Sequence, residues 1–170
     1  MEPASCAAGT WRQDPKLSCG GQLNDSGSHV VDMLLWCTGL QATEVFAQIN
    51  NYDRQVDVDS AVTVRFTNGA IGNVTVLGST PGYWEMFGIW GVEGGVAYDI
   101  TSGLRRQVFG AGEEKPELPA ASSDPDANFV RTILGQEENQ VPAECGLRVI
   151  QLTEAAWKSG YSGKPAKVKL

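Results

Sequence analysis

A single histidine occurs in the 170 residues, and it stands between two carboxylates: Asp25 lies four positions before His29, and Asp32 three positions after it. At about 100° per residue of an α-helix, these three side chains fall on one narrow face. A carboxylate beside an imidazole holds a ring tautomer and tunes a group that moves protons, so the spacing predicts an acid/base face. Two other chemistries fit the same residue types. A lone histidine on a half-buried helix is more often a structural residue than a catalyst, with Asp25 then an ordinary surface partner near the helix start, where the dipole favours negative charge. A divalent metal held by Asp25, His29 and Asp32 needs further ligands, and no cysteine or second histidine stands nearby at metal-binding spacing.

The segment carrying these residues reads as a helix over 23–37. Leu23, Val30 and Leu34 lie opposite the polar face and would anchor it in a core, and Trp36 falls on the polar side, where it would wall a pocket. Gly20 and Gly21 in front allow a tight turn and a close backbone approach, and Gly39 is placed to close the helix.

The run Gly20-Gly21-Gln22-Leu23-Asn24-Asp25-Ser26-Gly27-Ser28-His29-Val30-Val31-Asp32 resembles the Gly-Gly-x-Leu-x-Asp-x-Gly-x-His-x-x-Asp signature of the glucose–fructose oxidoreductase / inositol dehydrogenase (Gfo/Idh/MocA) family. There it opens the C-terminal, substrate-binding domain. The similarity extends upstream into Trp11-Arg12-Gln13-Asp14-Pro15 and downstream through Trp36-Cys37-Thr38-Gly39 to Gly163-Lys164-Pro165. Cys19 departs from the pattern, standing where a third glycine is usual and crowding the turn. The resemblance implies that His29 exchanges a hydroxyl proton and that Asp25 orients it or binds an adjacent hydroxyl. Arg12 and Asp32 follow as weaker substrate-binding candidates; a surface arginine packed with Trp11 and a carboxylate behind the reacting groups are the plain alternatives.

Composition narrows the partners. A hydrophobic fraction of 42% and a charged fraction of 19% are globular values. A net charge of −7 argues against nucleic acid and anionic membranes, which require basic patches. No apolar run approaches the roughly 20 residues that span a bilayer, and the start of the sequence lacks the pattern of a signal peptide. The cysteines (Cys6, Cys19, Cys37, Cys145) are scattered without a Cys-x-x-Cys, as expected of reduced thiols in a cytoplasmic protein.

Along the chain, 1–10 read as a disordered lead-in and 11–170 as one domain. After the helix, Glu44 to Ile49 alternate partly, and Val62, Val64 and Phe66 share one strand face; Asn68-Gly69 then signals a hairpin returning through Val74 and Val76. Trp84-Glu85-Met86-Phe87-Gly88-Ile89-Trp90 is apolar on both faces, which calls for two covers: helices on one side and a second chain on the other, or else a fully internal strand. Further strands are expected over 96–100 and 104–109, a solvated loop over 110–125, and helices over 126–134 and 142–159. In the last of these, Ala143, Leu147, Ile150, Trp157 and Tyr161 form the predicted core stripe, interrupted by Glu154. The order predicts an α+β fold: an open, mainly antiparallel (mixed) β-sheet with helices on one face and the other face free for oligomerisation.

A nicotinamide enzyme of this family needs a Gly-x-Gly-x-x-Gly turn between a strand and a helix, with the pyrophosphate at the helix N-terminus. No such turn, and so no Rossmann domain, is found here; Gly91-Val92-Glu93-Gly94-Gly95 has the wrong spacing. Glu114-Lys115-Pro116 matches a catalytic Glu-Lys-Pro of the family only by coincidence, because that motif precedes the histidine helix in the other domain. The expectation is therefore the substrate-binding and oligomerisation domain of an NAD(P)-dependent oxidoreductase acting on a sugar, cyclitol or related polyol, without its dinucleotide-binding domain. NAD or NADP belongs to the full-length enzyme, and neither is expected to bind tightly to this chain alone. The alternative is a stand-alone, non-catalytic ligand-binding or oligomerising module derived from that family. A metal-dependent hydrolase on Asp25, His29 and Asp32 is the third reading.

Overall fold

The computed structural model describes residues 9–118 and 124–169, so most of the expected lead-in lies outside the described residues. A 3-10 turn at Trp11–Gln13 leads to α1 (Pro15–Ser18) and α2 (Gly27–Thr38). Strands β1 (Ala42–Asn50), β2 (Asp59–Phe66), β3 (Ile71–Leu77), β4 (Met86–Gly91), β5 (Gly94–Asp99), β6 (Gly103–Val108) and β7 (Gly112–Glu114) follow. The chain closes with α3 (Pro125–Ile133), α4 (Ala143–Ser162) and β8 (Ala166–Lys167). The α+β expectation holds, with the strands divided between two compact units, one built from residues up to 81 and from 141 onward, the other from 82–140.

In the first unit the sheet order is β3-β2-β1-β8, antiparallel throughout. Alternation does what it should: Val62, Val64 and Phe66 are buried on β2, facing Val74 and Val76 on β3. The Asn68-Gly69 turn joins the two strands, with Gly69 at φ +86° and the Asn68 side chain accepting from the Ala70 amide at 3.0 Å. Helices α2 and α4 pack on each other and on β3 and β1 respectively, so the helical cover lies on one face of this sheet. Full burial of Leu23, Val31 and Leu152 contributes about 2 kcal/mol each.

The α4 stripe is corrected. Leu147, Ile150 and Tyr161 are exposed, while Cys145, Val149, Leu152, Ala156 and Ser159 face the core. The cause is close approach: α4 meets β1 through small residues, and a Cβ on Gly160 would come within 2.6 Å of Ile49. Leu147, Ile150 and Tyr161 are therefore turned away, and Leu152 is the large aliphatic side chain of the helix that is fully buried. Glu154 is exposed, at the edge of the buried face.

The second unit is an antiparallel sheet ordered β4-β5-β6-β7. The doubly apolar stretch lies at its edge rather than inside it, with Met86 and Trp90 exposed. Residues 112–114, expected in a loop, pair with β6 instead, and Glu114 ion-pairs Arg106 at 3.1 Å. The Glu-Lys-Pro tripeptide thus starts in an edge strand. Helix α3 begins where Asp124-Pro125 predicts, the Asp124 carboxylate accepting from the Ala127 amide at 2.7 Å.

Candidate functional site

The Gly20-Gly21 turn and α2 bring the predicted site residues to one region of the first unit. The first turn of the expected helix is not regular: Asp25 lies in a loop of turns before α2, its amide bonded to the Gly21 carbonyl at 2.9 Å. A Gly27 amide reaching back to the Gln22 carbonyl at 2.9 Å marks the irregularity. Asp25, His29 and Asp32 therefore do not sit on one continuous helix. Within α2 the buried positions are Gly27, Val31 and Leu35, with Val30 and Leu34 packed at the core margin, so the buried face is turned from the expected one.

Asp25 has a partner that spacing does not reveal. The Arg12 Nε donates to its Oδ2 at 2.6 Å, and the guanidinium lies 4.7 Å from the centre of the Trp11 ring. Both charged side chains are more than two-fifths exposed, so the pair contributes only about 0.5 kcal/mol to stability; its effect is to orient the carboxylate. His29 is exposed near the start of α2, and no hydrogen bond or ion pair joins it to Asp25 or Asp32. Asp32 is half-buried with Oδ1 unpartnered, and its charge, after desolvation, helps push the Cys37 thiol up from its ordinary value. Trp36 is exposed. Among the described residues no group of three or more His, Cys, Asp and Glu side chains is arranged to hold a metal ion.

The residue that sequence reasoning missed is Asp57, in the connection between β1 and β2. It is 2% exposed, and its carboxylate accepts three hydrogen bonds: from the Gly21 amide at 3.1 Å, the Leu23 amide at 2.7 Å and the Trp157 indole N–H at 2.8 Å. Its carbonyl also accepts from the Gln22 amide at 2.9 Å. The glycines are explained by this clamp. A Cβ on Gly21 would lie 2.0 Å from the Asp57 carbonyl oxygen, and one on Gly20 would lie 2.5 Å from the Trp157 ring. Two adjacent glycines were the only local sign of so close an approach; the partner is 36 positions away.

The same clamp decides how the turn treats a phosphate. The amides of Gly21, Gln22 and Leu23, the groups that would cradle an anion, already point at Asp57. Among the described residues every strand pairing is antiparallel, and the glycine turn follows a helix rather than a strand. This turn therefore offers none of those three amides to the phosphates of a dinucleotide.

In the first unit, an antiparallel sheet covered by helices on one face thus carries a glycine turn that delivers a carboxylate and a histidine to the surface. The chain belongs to the GFO/IDH/MocA C-terminal domain family, whose model matches residues 1–97. No curated protein matches the sequence. Among solved structures, the chain is similar to the aldose-aldose oxidoreductase of Caulobacter crescentus, solved with glycerol (22% identity, TM-score 0.80, 94% of this chain and 51% of that one). It is similar to levoglucosan dehydrogenase in complex with NADH and L-sorbose (19%, TM-score 0.80, 94% and 53%). It also resembles the WlbA dehydrogenase of Bordetella pertussis, in complex with NADH and UDP-GlcNAcA (22%, TM-score 0.72, 89% and 46%). Identities this low establish the fold, and the chain spans about half the length of these proteins.

Proposed function

We propose that the chain is the substrate-binding and assembly domain of an NAD(P)-dependent oxidoreductase acting on a sugar, cyclitol or related polyol, with residues 11–170 forming that one domain. The reading is carried by family membership joined to the disposition of Asp25, held by Arg12, with His29 exposed at the start of the following helix. Support for the cofactor comes from the solved relatives bound to NADH. Because the amides of the glycine turn are taken by Asp57, the roles proposed here concern substrate and proton only. His29 takes the proton of a substrate hydroxyl as the carbon bearing it is oxidised, and returns it in the reverse direction. Asp25 accepts a hydrogen bond from a neighbouring hydroxyl while Arg12 holds the carboxylate in place. Asp32, half-buried, acts behind His29 rather than on substrate.

The nucleotide is then held by a dinucleotide-binding domain working with this one, and copies of the chain associate through the open sheet face. The free thiols Cys19, Cys37 and Cys145 suit a reducing, cytoplasmic compartment. Among the described residues no helix is long and apolar enough to cross a membrane. The reading of a stand-alone, non-catalytic module draws on one observation, the occupation of the turn amides by Asp57.

One experiment separates the two. When the chain is joined to a dinucleotide-binding domain of its family and supplied with a polyol substrate, His29→Ala lowers kcat by about 10²- to 10⁴-fold. The nicotinamide Kd stays unchanged. Full turnover by the His29→Ala enzyme removes the proton-transfer role.

A further inference from the structure

Asp57 is a buried carboxylate with no basic side chain among its hydrogen-bond partners. All three donors to it are neutral, two on the site turn and one on α4. A buried carboxylate without a cation is costly unless fully hydrogen-bonded, and a neutral acceptor could satisfy single donors at less expense. What an ionised carboxylate adds is geometry, since its two oxygens gather the Gly21 and Leu23 amides and the Trp157 indole around one rigid plane. Oδ1 takes Gly21 and Trp157, and Oδ2 takes Leu23. The turn so gripped supplies the Gly21 carbonyl that receives the Asp25 amide, and it ends where α2 begins.

A shallow cleft runs alongside this clamp, lined by Arg12, Gln22, Asp25 and Asp57 among others. The far end of the grip is Trp157, whose ring packs over Gly20 and whose helix is seated on β1. A chain of contacts therefore leads from the rigid α4–β1 layer, through one indole N–H and one carboxylate, to the turn that carries Asp25 and precedes His29.

We propose that Asp57 and Trp157 are positioning residues that set the Asp25–His29 face, a role beyond holding the fold together. The proposal rests on the reading of Asp25 and His29 as the reacting face. Asparagine at position 57 keeps the shape but puts a donor NH2 in place of one of the two acceptor oxygens, so either Leu23 or the Gly21–Trp157 pair loses its partner. Phenylalanine at position 157 keeps a ring over Gly20 and removes the indole N–H alone.

The test uses the full chain in solution, with His29 as a built-in probe because it is the only imidazole. Nuclear magnetic resonance follows the His29 ring signal, the Arg12 Nε–H signal and amide exchange at Gly21 and Leu23. The variants are Asp57→Asn and Trp157→Phe, with Val64→Ala as a control that lowers the melting temperature from inside the sheet. In Asp57→Asn, exchange at Leu23 or Gly21 accelerates at least tenfold, and the His29 and Arg12 signals shift or broaden. Trp157→Phe gives the same pattern with smaller amplitude, and it decides the matter if Asp57→Asn does not fold. Val64→Ala leaves the two side-chain signals in place. His29 and Arg12 signals unchanged in the folded variants, or displaced equally by Val64→Ala, overturn the proposal. Full turnover by a His29→Ala enzyme would remove the chemistry proposed above while leaving this positioning result standing.

Discussion

Cys19 closes α1 in the left-handed region, at φ +57° and ψ 14°, its amide bonded to the Pro15 carbonyl at 3.2 Å. A side chain there is strained where glycine is not, and this cysteine is exposed, so little packing opposes its removal. Cys19→Gly is expected to stabilise the chain by about 1 kcal/mol, read as a higher urea midpoint at unchanged slope. The family pattern pointed to this position as a missing glycine; the dihedral angle supplies the reason. Cys37 offers a second measurement at the same scale. Desolvation pushes its thiol up, and the Asp32 carboxylate pushes it further, so at pH 8 it holds less thiolate than an ordinary cysteine. Removing the lesser cause lowers the thiol pKa, and Asp32→Asn should speed alkylation of Cys37 at pH 8 by roughly twofold. An unchanged rate would mean that the Asp32 charge does not reach the thiol.

At the scale of elements, the α4–β1 contact shows why a helix face is hard to read from hydrophobicity. The Ala47 amide lies beyond the reach of β8, which pairs only with Glu44 and Val45, and it donates to the Ser159 hydroxyl at 3.0 Å instead. Ser159 is fully buried, a polar residue on the core face of its helix because a backbone donor on another strand requires an acceptor there. Ser159→Ala should cost about 1–2 kcal/mol by leaving that amide unpaired, measured by denaturant unfolding. A neutral result would show that water replaces the hydroxyl. Where the signal was local, the elements were legible: the Asn68-Gly69 hairpin, the β2 alternation and the Asp124-Pro125 start of α3 all lie where the sequence places them. The α4 face was not, since Leu147, Ile150 and Tyr161, which weigh heavily in a periodicity count, lie off it, while Ser159 and Gly160 sit where the helix meets β1.

For the whole molecule, the glycine turn is closed on the chain's own Asp57 carboxylate, and among the described residues the strands of both units pair antiparallel. The chain by itself should therefore show no saturable NADH or NADPH binding in the micromolar range by fluorescence titration. A tight complex would overturn the proposed division of labour between this domain and a nucleotide-binding partner.

Taken alone, the amino-acid sequence determined the fold class, the family and the main hairpin, and it singled out Arg12, Asp25, His29 and Asp32 as candidates, because each of these readings rests on short-range patterns in the chain. Only the tertiary structure decided which of them meet: Arg12 reaches Asp25 across 13 positions, while His29 joins neither carboxylate. It alone revealed Asp57, held from 34, 36 and 100 positions away by groups that no local pattern connects. The reason is physical. Propensity and periodicity act over one or two turns of chain, whereas a buried carboxylate finds its donors only after helices and sheet have packed.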